Sequence, residues 1–283
     1  MRVTVLMENS TPSSRLAARH GLSLWIELSD GRSGGRRVLF DMGPDDAFLA
    51  NARTLGVDVT SADLAVLSHG HYDHGGGLPA FLDACAKAGR EVPVYVRERA
   101  FEVHASGTGE SRHAIGIDPT LAGDRRVRVL RETREVSPGL TVFSTNRRSH
   151  PSARSNGRLL MRGADGTLMP DDFAHEQSLL VEGEGHRVLF SGCSHGGILN
   201  IMDAAEELAG GSLDAVVAGF HLMDPSGGTV EDAGLTRSLA HELAARPTRY
   251  YTFHCTGTDA FALLRDELGN RVSYLHVGSR ASV

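Results

Sequence analysis

The hexapeptide His69-Gly70-His71-Tyr72-Asp73-His74 constrains this chain more than any other feature, because four potential metal donors fall within six residues. An apolar, strand-like run at residues 63–68 leads into it. Gly75-Gly76-Gly77 and a helically spaced segment at 78–88, with Phe81, Leu82 and Cys85 on one face, follow it. Buried polar groups need partners, and a cation supplies one for so dense a cluster. Imidazole with carboxylate suits zinc, iron, manganese or cobalt better than calcium or magnesium, which prefer all-oxygen shells. In an extended or tightly turning segment, histidines at i and i+2 can face one ion while Asp73 and His74 turn toward a second. The flanking glycines allow the backbone angles this requires. A histidine-rich surface loop would lack the embedded Asp, the leading strand and the trailing glycine run.

The same grammar recurs along the chain. RVTVLMEN and GLSLWIELSD read as strands on either side of a Ser/Pro loop, and a third strand at 38–40 ends in Asp41-Met42-Gly43. Pro44-Asp45-Asp46 reads as a helix start, with Gly56 as its stop. In the second half, strands at 187–190, 215–218 and 248–253 run into SGCSHGG, GFHL and HCTG, and a helix is expected at 198–208. Each strand ends on a histidine with glycine beside it, and in open α/β sheets ligands bind at the carboxyl ends of strands. His195 and His254 are therefore the leading candidates to complete two coordination shells. Residues 97–134 carry scattered arginines and glycines with little periodicity and read as a loop or lid within a single domain spanning 1–283.

Composition narrows the function classes. With 41% hydrophobic and 23% charged residues the chain reads as an ordinary globular protein. A net charge of −6 gives no basic footprint for nucleic acid. No apolar stretch approaches the roughly 20 residues that span a bilayer, and no signal-peptide pattern opens the chain, so a cytoplasmic, membrane-free protein is expected. Oligomeric state is not legible. Cys85, Cys193 and Cys255 are too few and too odd for a disulfide framework. The 14 histidines are the outlying part of the composition.

HGHYDH resembles the HxHxDH signature of the metallo-β-lactamase superfamily, an α/β fold built as a four-layer α/β/β/α sandwich. Glu8-Asn9, the 38–43 strand end, SHGHYDHGGGL, GCSHGGILNI, GFHL and HCTG further resemble a subgroup of dihydropterin-type synthases. The resemblance implies that His69 and His71 bind one metal, that Asp73 and His74 contribute to the second, and that His195 and His254 complete the pair. Asp41 would then accept a hydrogen bond from a ligand imidazole, with a turn or helix-cap role as the alternative. The pattern departs from superfamily hydrolases in which an Asp bridges the two ions, since Gly192-Cys193-Ser194-His195 stands at the matching strand end. Cys193 is open between a thiolate ligand and a small packing residue. His221 is open between a ligand, a substrate-contacting acid and a loop-edge residue, the acid being preferred. His175 stands where the subgroup usually carries an acidic residue, so it takes no borrowed role and is read as exposed. His20, His104, His113, His150, His186, His241 and His276 are read as ordinary surface or partly buried residues. Arg147, Arg148 and Arg154 are open between a phosphate grip and a solvated cluster.

The expected activity is that of a dinuclear metal-dependent hydrolase. It would use two divalent transition-metal ions, zinc first and manganese or iron as alternatives, and a metal-activated water on a small ester, lactone or phosphate-type substrate. Asp73 would orient that water and His221 would donate a proton to the leaving group. One alternative is a synthase joining a dihydropterin diphosphate to an aminobenzene ribofuranosyl phosphate; another is a di-iron redox protein. The expected partner is a small, in some cases phosphorylated, molecule. On this reading His104→Ala should do little.

Overall fold

The structure, a computed structural model, describes residues 1–28, 35–183, 185–224 and 229–283. The chain forms two compact units, Met1–His104 with Ile115–Arg131 and His276–Val283, and Ala105–Ala114 with Glu132–Leu275.

The first unit is built on a seven-stranded sheet in the order Arg280–Ser282, Arg2–Met7, Ser23–Glu27, Arg37–Phe40, Leu64–Leu67, Val94–Arg97, Val127–Leu130. The first four strands are antiparallel neighbours and the last four parallel ones. The strand expected over GLSLWIELSD is Ser23–Glu27, and its residues Ser29 and Asp30 lie outside the described residues. Helix α1 (Ala47–Leu55) begins after the Pro44-Asp45-Asp46 turn, where Asp45 Oδ1 accepts the Ala47 N–H, and it ends on Gly56 at φ 74°. Helix α2 is the single turn Tyr72–Gly75, and α3 spans Leu78–Lys87 with Phe81, Leu82 and Cys85 buried as their spacing predicts. Helices α1 and α3 share a core with Leu6, Trp25, Leu39, Leu67 and Val94.

The second unit has its own seven-stranded sheet, in the order Val272–Tyr274, Arg249–Thr252, Ala215–Ala218, His186–Ser191, Ser178–Gly183, Leu140–Phe143, Arg134–Ser137. The first four are parallel. Helices α4 (Ile198–Ala209), α5 (Ala233–Ala244) and α6 (Thr258–Leu268) bury Ile201, Met202, Ala240, Leu243 and Leu264 in a core with Leu189, Val216 and Tyr250. Such continuous apolar runs suit parallel strands covered on both faces.

The 97–134 segment departs from the loop or lid read from sequence. Val127–Leu130 is a parallel strand beside Val94–Arg97, and Ala105 and Ser106 pair antiparallel with Ala114 and His113. These strands are short, and Val127–Leu130 buries only its two ends, so no apolar periodicity marks it in sequence. Among the described residues no helix is long and apolar enough to cross a membrane.

One glycine fixes how the histidine loop lies on its unit. A Cβ at Gly70 would stand 2.2 Å from the carbonyl oxygen of Ala100, a contact that only backbone movement relieves. Gly70→Ala should lower stability by about 1–3 kcal/mol in urea unfolding, the usual cost of overpacking. Gly123→Ala, with nothing within 4 Å of its Cβ position, should stay within about 0.5 kcal/mol of the parent protein.

Candidate metal centre

In the first unit the parallel pairing of Arg37–Phe40 with Leu64–Leu67 sets Asp41 beside Ser68, both fully buried. Asp41 Oδ1 accepts the Ser68 N–H at 2.7 Å, and its Oδ2 accepts the Ser68 hydroxyl at 2.8 Å. The same Oδ2 lies 2.6 Å from His74 Nδ1. A carboxylate oxygen accepts, so His74 carries its proton on Nδ1 and keeps the lone pair on Nε2. The single hydroxyl hydrogen of Ser68 is given to Asp41, so the 2.9 Å contact from Ser68 Oγ to His69 Nδ1 requires His69 to donate. Asp41 thus sets two imidazoles in the tautomer that presents Nε2 as a donor to a metal.

The remaining members of the hexapeptide gather on this pair. Ligand atoms of His69, His71 and Asp73 all lie within 4.8 Å of one another, and all three residues are buried. His69 packs its ring against His71 at 4.6 Å and against His74 at 4.2 Å. Asp73 Oδ2 is 3.6 Å from His74 Nε2 and 3.3 Å from His20 Nε2. Asp73 therefore neighbours His74 as well as the His69–His71 pair.

In the second unit three neighbouring parallel strands, His186–Ser191, Ala215–Ala218 and Arg249–Thr252, release Cys193 to His195, His221 and His254 with Cys255 at their carboxyl ends. Glu176 holds the first of these turns. It accepts the His195 N–H at 2.7 Å and the Gly196 N–H at 2.8 Å. Burial pushes its carboxyl above the usual range, and those two backbone bonds offset only part of the rise. Asn156 fixes the ring. The carbonyl of His195 can only accept, so it takes the Asn156 amide nitrogen at 2.8 Å, which leaves Oδ1 facing His195 Nδ1 at 3.0 Å. Nδ1 must then donate, and Nε2 retains the lone pair. Phe173 stacks on the same ring, 4.6 Å away and within 4° of parallel. The His221 ring lies 4.2 Å from that of His195.

Burial works against ionisation of the Cys255 thiol, yet hydrogen bonding to Cys193 and His221 and the nearby imidazoles of His254 and His221 hold it well below the ordinary thiol range. Asp41, Ser194, His221 and His254, at four strand ends, all have positive φ between 49° and 59°. Such backbone is costly for residues with a Cβ and concentrates where function requires it.

Comparison with known proteins adds the family. The Beta-lactamase superfamily domain matches residues 36–255. The chain belongs to the metallo-β-lactamase superfamily. Its α/β architecture is that of the superfamily's fold: Tm1679, a metal-dependent hydrolase of the β-lactamase superfamily, superposes with a TM-score of 0.80 at 26% identity, over 100% of this chain and 99% of that one. The chain is also similar to the 7,8-dihydropterin-6-methyl-4-(β-D-ribofuranosyl)-aminobenzene-5'-phosphate synthase of Methanocaldococcus jannaschii. That relative is 26% identical over 275 residues, which is 92% of this chain and 89% of the relative. An uncharacterized protein of the same organism is 28% identical over 280 residues, 98% of each chain.

Within this metallo-β-lactamase fold several residues lie where their sequence context gives no hint. His104 is 1% exposed, sets its ring 5.6 Å from His71 and reaches the Arg99 carbonyl at 3.2 Å, so it is no neutral control for mutation. His175 is likewise 1% exposed rather than on the surface, and its Nε2 lies 3.3 Å from Asp171 Oδ2. His20, Asn156 and Glu176 touch candidate ligands through contacts made only on folding. Of the arginines expected either to grip phosphate or to be solvated, Arg147 pairs with Glu207 and Arg148 donates to the carbonyls of Arg147 and Asp172.

Asp41→Ala leaves three buried donors facing a void, at about 1–3 kcal/mol each. Urea unfolding should show a loss of about 3 kcal/mol or more, with a smaller loss for Asp41→Asn, which keeps one acceptor oxygen. Equal stabilities would mean that this carboxylate does not organise the loop.

Proposed function

We propose that this superfamily member is a hydrolase using two divalent transition-metal ions, zinc first and manganese or iron next, on a small ester, lactone or phosphate-type substrate. The observation that carries the reading is the buried His69–His71–Asp73 group with His74 beside it, in which Asp41 and Ser68 dispose two imidazoles for ligation. The donor chemistry fits such ions, since imidazole and carboxylate are borderline and hard ligands with no strong call for calcium. On this reading His69, His71, Asp73, His74, His195 and His254 are the ligands, and Asp41 and Asn156 are their outer partners.

Bound ions would supply Lewis acidity and bring the pKa of water toward neutrality. The chain's own residues do the rest. Asp73 accepts a hydrogen bond from the attacking water and holds it in line, and His20, 3.3 Å from its carboxylate, keeps Asp73 in that orientation. Asp41 and Asn156 prevent the ligand imidazoles from rotating.

A second reading is favoured by one observation, the likeness over 92% of the chain to a protein named as a dihydropterin-type synthase. On that reading the same ligands serve a reaction that joins a dihydropterin diphosphate to an aminobenzene ribofuranosyl phosphate.

Protein stripped of metal and reloaded with zinc, manganese or iron should be assayed against phosphoesters, lactones and dihydropterin diphosphate with its aminobenzene partner. Hydrolysis restored by metal supports the first reading, and coupled product with pyrophosphate release supports the second. His69→Ala and Asp73→Ala should lower kcat/KM by more than about 100-fold, and His20→Ala by about 10–100-fold with metal retained, the range for outer partners of a metal site. His186→Ala, at an exposed ring, should change nothing. Turnover indifferent to chelator and to all three substitutions would contradict both readings.

A further inference from the structure

Cys193 and Cys255 have no part in the hydrolase reading, and His221 enters it only as the expected proton donor. The ligand atoms of Cys193, His221 and Cys255 lie within 4.8 Å of one another, and the residues are 3%, 8% and 2% exposed. Each follows a different one of three parallel strands that pair in register, so the spacing of the donors is set by the sheet rather than by a flexible loop.

The surrounding backbone is shaped to bring them together. A Cβ on Gly219 would stand 2.6 Å from Cys255 Sγ, so glycine at that position is what admits the sulfur. The Gly219 N–H is tied to the Gly192 carbonyl at 2.8 Å and the Phe220 N–H to Thr256 Oγ1 at 2.9 Å, which locks the three strand ends to one another. His221 at φ 49° buries both of its ring nitrogens, which meet no oxygen or nitrogen partner and have only the Cys255 sulfur beside them. Cys255 Sγ lies 3.7 Å from the Cys193 carbonyl. A merely packed cysteine pair would have no need of an inward-turned imidazole held in strained backbone. Burying two ring nitrogens in this way costs free energy unless a partner meets them.

Two sulfurs and an imidazole nitrogen are a soft-to-borderline donor set, the kind that selects zinc and its thiophilic relatives over magnesium or calcium. We propose that Cys193, Cys255 and His221 form a thiolate-rich binding position for one zinc-class ion, with a fourth coordination place left for an exogenous ligand. Binding forms two metal–sulfur bonds and one metal–nitrogen bond, sends to solvent whatever proton a sulfur still carries, and changes no oxidation state. His221 is then a ligand, in place of the proton-donor role its sequence context suggests. None of the three donors is among the ligands the hydrolase reading uses, although the ligand atom of Cys193 also lies within 4.8 Å of those of His195 and His254; the sulfur donors are what a cobalt titration reads apart from turnover.

The test is a titration of the metal-free full-length protein with cobalt(II), followed by its near-ultraviolet thiolate-to-cobalt charge-transfer absorption. The band should grow to saturation in the parent protein and persist in His69→Ala and in Cys85→Ala. It should fall by about half in Cys193→Ser or Cys255→Ser and vanish in the double variant. Should those variants fold poorly, X-ray absorption of zinc-loaded parent protein is an independent readout, with a sulfur shell expected near 2.3 Å. A shell of nitrogen and oxygen alone, with no charge-transfer band, overturns the proposal. Because neither signal depends on turnover, a band in a protein without hydrolase activity would uphold this position while removing the hydrolase reading.

Discussion

The Asp41 carboxylate is the contact on which the histidine loop depends. It is fully buried and accepts from the backbone of Ser68, from its hydroxyl and from the ring of His74. Each of those donors would be costly to leave unmet in the interior, so the strand end, the loop and the ring are fixed together. The bond to Ser68 also determines which nitrogen of His69 carries the proton. One acidic side chain thereby converts a flexible, glycine-flanked hexapeptide into a set of imidazoles with defined donor atoms.

The second unit meets the same need with different chemistry. Its histidine turn is held through the backbone by Glu176, and the imidazole of His195 is oriented by the neutral amide of Asn156. An amide has both donor and acceptor, so a single side chain can grip the carbonyl and the ring of one residue. Phe173 then covers the ring face. Aromatic stacking, an amide clamp and a buried carboxylate here do what Asp41 and Ser68 do in the first unit. The positive φ values of Asp41 in the first unit and of Ser194, His221 and His254 in the second show that both units accept backbone strain at the strand ends to aim these side chains.

Much of this was legible in the sequence, and the boundary between legible and hidden is physical. Strands at 38–40, 63–68, 187–190, 215–218 and 248–253 are apolar runs with glycine-rich ends, a local signal that survives without tertiary information, and all appear in the sheets within a residue or two. The clustering of His69, His71, Asp73 and His74 follows from their adjacency, and the bond from Asp41 to a candidate ligand follows from the parallel pairing of two recognised strands. His20, His104, Asn156 and Glu176 have no such local signal, because their roles arise from contacts across tens of residues. The exposed reading of His175 failed for a different reason, since its partner Asp171 is only four residues away but the segment between them has no periodicity to mark it as buried. The short strands within residues 97–134 were not legible, because strands of two to four residues interleaved with arginine carry too little apolar pattern to stand out.

The central claim is that the chain holds transition metal through its histidines, and the most direct measurement is elemental analysis of protein purified without added metal or chelator. The account predicts at least two equivalents of zinc, manganese or iron per chain in the parent protein, and a clear fall in a His69→Ala/His74→Ala double variant that remains folded. Absence of metal in the parent, with no uptake on reconstitution, or identical metal content in parent and variant, would contradict it.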